Sequence, residues 1–415
     1  MKNVVVIGGG VIGLSSAYYL AQSGHKVTVL DKDGFEDNCS YGNLGYVCPS
    51  HFIPLAAPGI VWQGLKWMLN SKSPFYVQPS LNLSLIDWGL KFVRSANKKN
   101  VEAAAAPLRD IALFSQHEYS EWEKQSDFDF AFERNGMLEI FQTESVGVHA
   151  AHTVETGKKL GLDVELLDEK GLQQLEPQTK INALGAIYFK CDSHLYPNKL
   201  MASLKRILQQ KGVRLISGEV TGFEKSNGKV TKVLTKDQGF EADEVVIATG
   251  SWSREVAAML QTKIPLMPGR GYSFTVEDAA DKLNRPAILT EGRVAIAPMD
   301  GNKMRYGGTM EVVSTKTPPR YERVEGIVQA IKSFLPEFDI EMPPQSKIWY
   351  GFRPTSADGL PYIGRIKKYK NVTVATGHAM LGLSLGAGTG KLVNELVNEQ
   401  KPSVDLSAFT VERFG

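Results

Sequence analysis

Val4-Val5-Val6-Ile7-Gly8-Gly9-Gly10-Val11-Ile12-Gly13 is the stretch on which the fold is decided. Four β-branched residues in a row suit a buried parallel strand, the glycines suit a tight turn, and the pattern from Leu14 to Ser23 suits a helix. Gly8 permits the turn, Gly10 leaves the backbone bare so that a pyrophosphate can approach, and Gly13 lets the helix lie close on the strand. The free N–H groups at the helix start then face the phosphates. Gly24 ends the helix and Lys26 to Leu30 reads as a second strand. Asp31, 23 residues after Gly8, stands where a carboxylate accepts from ribose hydroxyls. The expectation is an α/β, Rossmann-like domain that binds a dinucleotide at its first turn.

The rest of the chain bounds that expectation. With 415 residues, 43% of them hydrophobic and 22% charged, it is long enough for two domains sharing a large core, which excludes a peptide, a fibre or a disordered chain. Lys+Arg 47 against Asp+Glu 45 leaves a formal +2, so nucleic acid is not an expected partner. Cys39, Cys48 and Cys191 are odd in number and lack metal-ligand spacing, which predicts a reducing, cytoplasmic setting and no metal. The apolar run from Val4 to Leu20 is broken by glycines and does not read as a signal peptide. No stretch approaches the roughly 20 apolar residues of a membrane-spanning helix, so contact with a membrane is expected to be peripheral at most.

Three further segments choose among dinucleotides. Asp37 to Pro49, DNCSYGNLGYVCP, is a small polar loop suited to running over a phosphate and a ring system. Ala242 to Trp252, ADEVVIATGSW, ends a strand in a second glycine turn. Tyr350 to Ser384 contains GFRPTSADGLPYIG, the strand Val372 to Ala375, and GHAMLGLSLGAGTG leading into a helix that runs to about Glu399. With these motifs the sequence resembles the FAD-dependent D-amino acid oxidase and dehydrogenase superfamily over nearly its whole length. The pattern is most like the bacterial D-amino acid dehydrogenases, with glycine and sarcosine oxidases as more distant relatives.

The resemblance implies a discontinuous FAD-binding domain, residues 1–54, 176–261 and 346–415, and a substrate domain, residues 55–175 and 262–345. The latter is expected to carry an antiparallel sheet with runs at Gly271 to Val276, Val294 to Pro298 and Met304 to Gly308, together with helices. For FAD it implies the turn residues Gly8, Gly10, Val11, Ile12 and Gly13, then Asp31 and Lys32, and the loop residues Ser40, Asn43, Leu44 and Gly45. Val220, Gly250 and Trp252 follow, with Gly382, Leu383 and Ser384 expected to open a helix whose N–H groups face the pyrimidine edge. For substrate it implies Arg353, whose planar guanidinium grips a carboxylate bidentately, and Tyr272, whose hydroxyl shares it. His51 is placed near the pocket, and His378 is read as supporting the glycine turn.

No acid or base is assigned. A neutral substrate amine drives the α-hydrogen as hydride to flavin N5, leaving an imine that water hydrolyses to a 2-oxo acid, while the protein supplies position and electrostatics. The resemblance implies a D-amino acid substrate, D-proline-like imino acids included, with electrons passing to a quinone or respiratory carrier. A glycine- or sarcosine-oxidase-like enzyme releasing H2O2 is the alternative, and a GDI-like binding protein the alternative of another class. FAD is expected to be non-covalent, because no cysteine follows Cys191, whereas the flavinylated sarcosine oxidases attach through a late cysteine. Ile60 to Lys72 and Leu83 to Lys99 mix Trp62, Trp67 and Trp88 with Lys66, Lys72, Lys91, Arg94, Lys98 and Lys99, a composition suited to a membrane interface. Against that, Leu85, Ile86, Trp88, Leu90, Phe92 and Val93 surround their helix, which suits burial.

Overall fold

The computed structural model describes residues 1–60, 62, 64, 74–80, 82–279 and 283–414. The opening strand, Asn3–Ile7, lies inside a six-stranded sheet, with Lys26–Asp31 and Arg214–Ser217 on one side and Glu244–Ile247, Val372–Thr376 and Tyr362–Arg365 on the other. All pairings are parallel except that of Tyr362–Arg365, which runs antiparallel to Val372–Thr376. Alternation explains why the strand is apolar throughout. Val4 and Val6 enter a core with helices Val11–Gln22 and Pro197–Gln210, while Val5 and Ile7 enter a second core with the small antiparallel sheet of Val220–Ser226, Lys229–Thr235 and Gly239–Glu241. A strand covered on both faces needs no polar residue.

The second sheet has nine strands. Among the described residues, Trp349–Ser356, Leu266–Glu277, Lys303–Val312 and Val294–Met299 form its antiparallel centre, Ala287–Leu289, Met137–Phe141, Gly185–Phe189 and Val164–Asp168 continue it, and Phe75–Val77 pairs with the end of Lys303–Val312. Helix Glu322–Phe334 packs on one face through Val324, Ile327, Ile331 and Phe334. The three runs expected for this sheet are present in it, within longer strands.

Three segments cross the expected domain boundaries. Gly185–Phe189 and Trp349–Ser356, assigned to the FAD-binding pieces, are strands of the larger sheet, because each satisfies its backbone by pairing there. Helix Lys98–Glu123, assigned to the substrate domain, instead turns Tyr119 and Trp122 into the core around Val11–Gln22, where both are buried. The C-terminal glycines explain a further closeness. A Cβ at Gly390 would lie 2.6 Å from the Ser15 backbone and one at Gly388 2.9 Å from Ser115, so GAGTG serves to bring helices together. No helix among the described residues is long and apolar enough to cross a membrane.

Candidate active site

The first turn is built from backbone. Gly8 has φ +111°, and a Cβ there would lie 2.3 Å from the Ala248 carbonyl oxygen. At Gly13 a Cβ would meet the Gly8 carbonyl oxygen at 1.9 Å, so the helix approaches the turn as only glycine allows. Gly10 caps helix Val11–Gln22 without a side-chain bond, and the Val11 N–H donates to Ser40 Oγ at 3.0 Å. The Asp31 carboxylate accepts from the N–H groups of Gly9 (2.7 Å) and Asp33 (2.9 Å), which fixes it beside the turn. Lys32 Nζ lies 4.1 Å from the centre of the Trp252 ring.

A single cavity of about 750 Å³ runs from this turn to the larger sheet. Its wall includes every position selected from the sequence for cofactor contact except Gly13 and Gly45. Those two work from behind: Gly13 under the turn, and Gly45, φ +81°, where a Cβ would strike the Leu195 carbonyl oxygen at 1.9 Å. Gly382, Leu383 and Ser384 line the cavity but do not open a helix. They form a turn before helix Gly386–Val397, with Ser384 Oγ accepting from the Cys48 N–H at 2.9 Å and the Leu383 carbonyl from the Tyr119 hydroxyl at 2.6 Å.

At the other end stands Arg353. Its guanidinium covers Gly271, where a Cβ would lie 2.2 Å from Nη2, and Nη1 donates to the Thr309 carbonyl oxygen at 2.5 Å. Burial lowers its pKa to about 10, so it remains a cation at neutral pH. No carboxylate pairs with it among the described residues, although it lines the cavity. Thr309, which sequence reasoning missed, is strained. It is β-branched yet has φ +63°, at the irregularity in pairing between Arg270 and Tyr272, and its buried Oγ1 has no hydrogen-bond partner among the described residues. Backbone strain beside an orphaned hydroxyl on a cavity wall is the pattern of a ligand site.

Tyr272 departs from expectation. Its hydroxyl donates to Glu311 Oε2 at 2.8 Å and accepts from the Arg320 N–H at 2.7 Å, and Glu311 is held in turn by Arg270 and Arg323. Tyr272 borders the cavity, but strand alternation turns Gly271 and Ser273 toward Arg353 and Gly42 and sends the Tyr272 ring into the core under helix Glu322–Phe334. A hydroxyl committed to that ion cluster does not share a substrate carboxylate.

His51 lines the cavity with Nδ1 3.3 Å from Ser50 Oγ, and burial lowers its pKa to about 4, leaving it neutral. His378 is buried, pairs Nε2 with Thr389 Oγ1 at 3.1 Å, and is held neutral by burial, with a pKa of about 3. Two carboxyls not selected from the sequence lie close by. Glu139, on the cavity wall, is pushed up to about 7 by burial, with Asp192 adding and Arg293 opposing. Asp192 is pushed up to about 6 by burial, against the hydrogen bonds from Ser50. No local motif marks either residue.

Residues 3–396 match the family described as FAD dependent oxidoreductase. The chain belongs to that family. It is accordingly an FAD-dependent oxidoreductase, and the bare glycine turn, the pinned Asp31 and the long cavity fit an extended FAD. Its curated relatives include a D-amino acid dehydrogenase of Helicobacter pylori, 30% identical with 98% of this chain and 99% of the relative covered. Another D-amino acid dehydrogenase, of Granulibacter bethesdensis, is 29% identical with 99% of each chain covered. Among solved structures, glycine oxidase from Geobacillus kaustophilus superposes with TM-score 0.80 at 22% identity, covering 99% of this chain and 98% of that one. That likeness establishes the shared fold.

Proposed function

We propose that this flavoenzyme oxidises a D-amino acid, D-proline-like imino acids included, to an imine that water hydrolyses to a 2-oxo acid. The observation that carries the reading is Arg353, a buried guanidinium without a carboxylate partner among the described residues, at the end of the cavity away from the nucleotide turn. The relatives' names support the substrate class. When bound, FAD supplies the two-electron acceptor. Gly8, Gly10 and the Val11–Gln22 helix start would hold its diphosphate, Asp31 its ribose, and Ser40, Asn43, Leu44 and the 382–384 turn its ring.

Arg353 takes the substrate carboxylate through two parallel hydrogen bonds and so fixes the α-carbon. The Thr309 carbonyl and the bare Gly271 hold the guanidinium in place. His51, neutral at pH 7, adds no positive charge against a substrate amine. No residue is given the role of acid or base, since a neutral amine needs none. An anaerobic screen of D- and L-amino and imino acids for bleaching of the flavin tests the reading. D-substrates should bleach it, and failure of every amino and imino acid would overturn the proposal. The cofactor is held without a covalent bond, so acid precipitation should leave the yellow colour in the supernatant.

We further propose a quinone-class acceptor reached from a membrane surface. Helix Leu83–Ser95 has two apolar faces. Trp88, Leu85 and Phe92 pack inward, with Trp88 and Phe92 on the cavity wall, while Leu83, Ile86, Leu90 and Val93 form an exposed outward stripe beside Lys91, Arg94, Lys98 and Lys99. Trp62 is exposed, and Lys66, Trp67 and Lys72 lie outside the described residues. Co-sedimentation with anionic liposomes, lost on Leu90→Glu, supports docking; indifference to lipid removes it.

A further inference from the structure

Cys48 Sγ, a ring nitrogen of His51 and a carboxylate oxygen of Asp192 lie within 4.8 Å of one another. Spacing along the chain hides this, because Asp192 is brought in from the turn before Ser193–His194, the strand that pairs with Tyr46–Val47. Asp192 is fully buried, and among the described residues no lysine or arginine pairs with it. Its carboxylate accepts from neutral donors: Ser50 N–H at 3.0 Å, Ser50 Oγ–H at 2.5 Å, the Cys191 thiol at 3.6 Å, and the Cys48 thiol beside it. Cys48 and His51 both line the cavity. The donors are one sulfur, one imidazole and one carboxylate, the mixture that a borderline-soft divalent cation takes.

We propose that Cys48, His51 and Asp192 bind a divalent cation of the zinc class, with the fourth position open to the cavity. Ligand atoms 2.0–2.3 Å from zinc stand about 3.2–3.8 Å apart, so the set must contract by about 1 Å, within the reach of side-chain rotation. Supporting contacts are already in place: the Ser50 N–H orients Asp192, and Ser50 Oγ stands 3.3 Å from His51 Nδ1, which orients the ring. On binding, the Cys48 S–H bond breaks, its sulfur bonds the metal and the proton leaves to solvent. The thiolate and carboxylate then neutralise the dication, which supplies the countercharge that Asp192 lacks. Three protein ligands with one open position on this wall put the ion where an amino acid must pass. Bound zinc therefore slows turnover, an effect that alone rests on the proposed function.

The test is equilibrium dialysis of the purified holoenzyme against micromolar Zn²⁺ at pH 8, read by metal analysis and by proton release in weak buffer. About one equivalent of zinc and one proton per zinc are expected, with Cys48→Ser and Asp192→Asn each weakening binding by at least roughly tenfold. The exposed pair His149 and His152, one helical turn apart, is the obvious adventitious site, and its double alanine variant should bind zinc normally. Binding abolished in that variant, undiminished in Cys48→Ser, or unaccompanied by proton release would overturn the proposal. The proton count stands even if a variant fails to fold. Full turnover by the zinc-loaded enzyme would refute the open position alone, whatever the substrate.

Discussion

The two ends of the cavity are made of different material. At the nucleotide end the wall is main chain: glycines at 8 and 10 backed by Gly13, the start of a helix, and one carboxylate pinned by the N–H groups of Gly9 and Asp33. At the far end it is side chain: a guanidinium with no carboxylate partner among the described residues, a strained threonine and a glutamic acid raised to about 7. Main chain offers the same groups whatever the residue, so that end is defined by where a Cβ is forbidden. The far end is defined by charge, and changes there should alter ligand choice while leaving the cofactor held.

The largest effect should follow from adding a methyl group to the backbone-built end. In Gly13→Ala the new Cβ would sit 1.9 Å from the Gly8 carbonyl oxygen, so the helix must withdraw from the strand. Loss of FAD and a melting temperature lower by at least several degrees are expected in calorimetry, and a yellow, normally stable variant would break the contrast. Next comes Arg353→Ala, which should keep its FAD and lose substrate affinity by roughly 30- to 5,000-fold, the scale of about 2–5 kcal/mol for stripping a buried charge pair of one partner. Arg353→Lys should recover little, since an ammonium cannot reproduce the fork. Steady-state kinetics beside the flavin spectrum separate the two effects, and near-normal kinetics in the alanine variant would remove Arg353 from the site.

The smallest effect concerns Glu139. Burial raises its folded pKa to about 7 from an ordinary carboxyl value, so the native state binds more protons than the unfolded chain between those values. Stability from this group is therefore full at low pH and falls as pH rises toward 7. Glu139→Gln should raise the melting temperature by about 2 °C at pH 8 and change it little at pH 4. A difference of the opposite sign would mean that Arg293 outweighs burial.

Legibility in the sequence follows the same division. The glycine turn, Asp31 and the 40–45 loop are contiguous or nearly so, and each has a stereochemical reason that survives without coordinates. Arg353 is singled out by its distinctive GFRP motif, and it lines the cavity. Thr309 is not singled out, since nothing in Gly307-Gly308-Thr309 announces a positive φ. Tyr272 lies beside the cavity as the sequence suggests, but the partners of its hydroxyl, Glu311 and the Arg320 N–H, come from segments distant in sequence and carry no local signal. Glu139 and Asp192 carry no local signal, as their raised pKa values come from burial by elements distant in sequence.

The placement of the C-terminal glycine helix sets an order of events during synthesis. Asn3–Ile7 pairs with Glu244–Ile247, made some 240 residues later, and the helix beside it is finished only when Gly388 and Gly390 settle on Ser115 and Ser15. The opening turn must therefore wait for nearly the whole chain before its neighbours exist. Contacts so distant along the chain make folding slow and keep the apolar first strand exposed in the meantime. A nascent chain stalled before residue 386 would present that strand to chaperones, without the last helix to cover it.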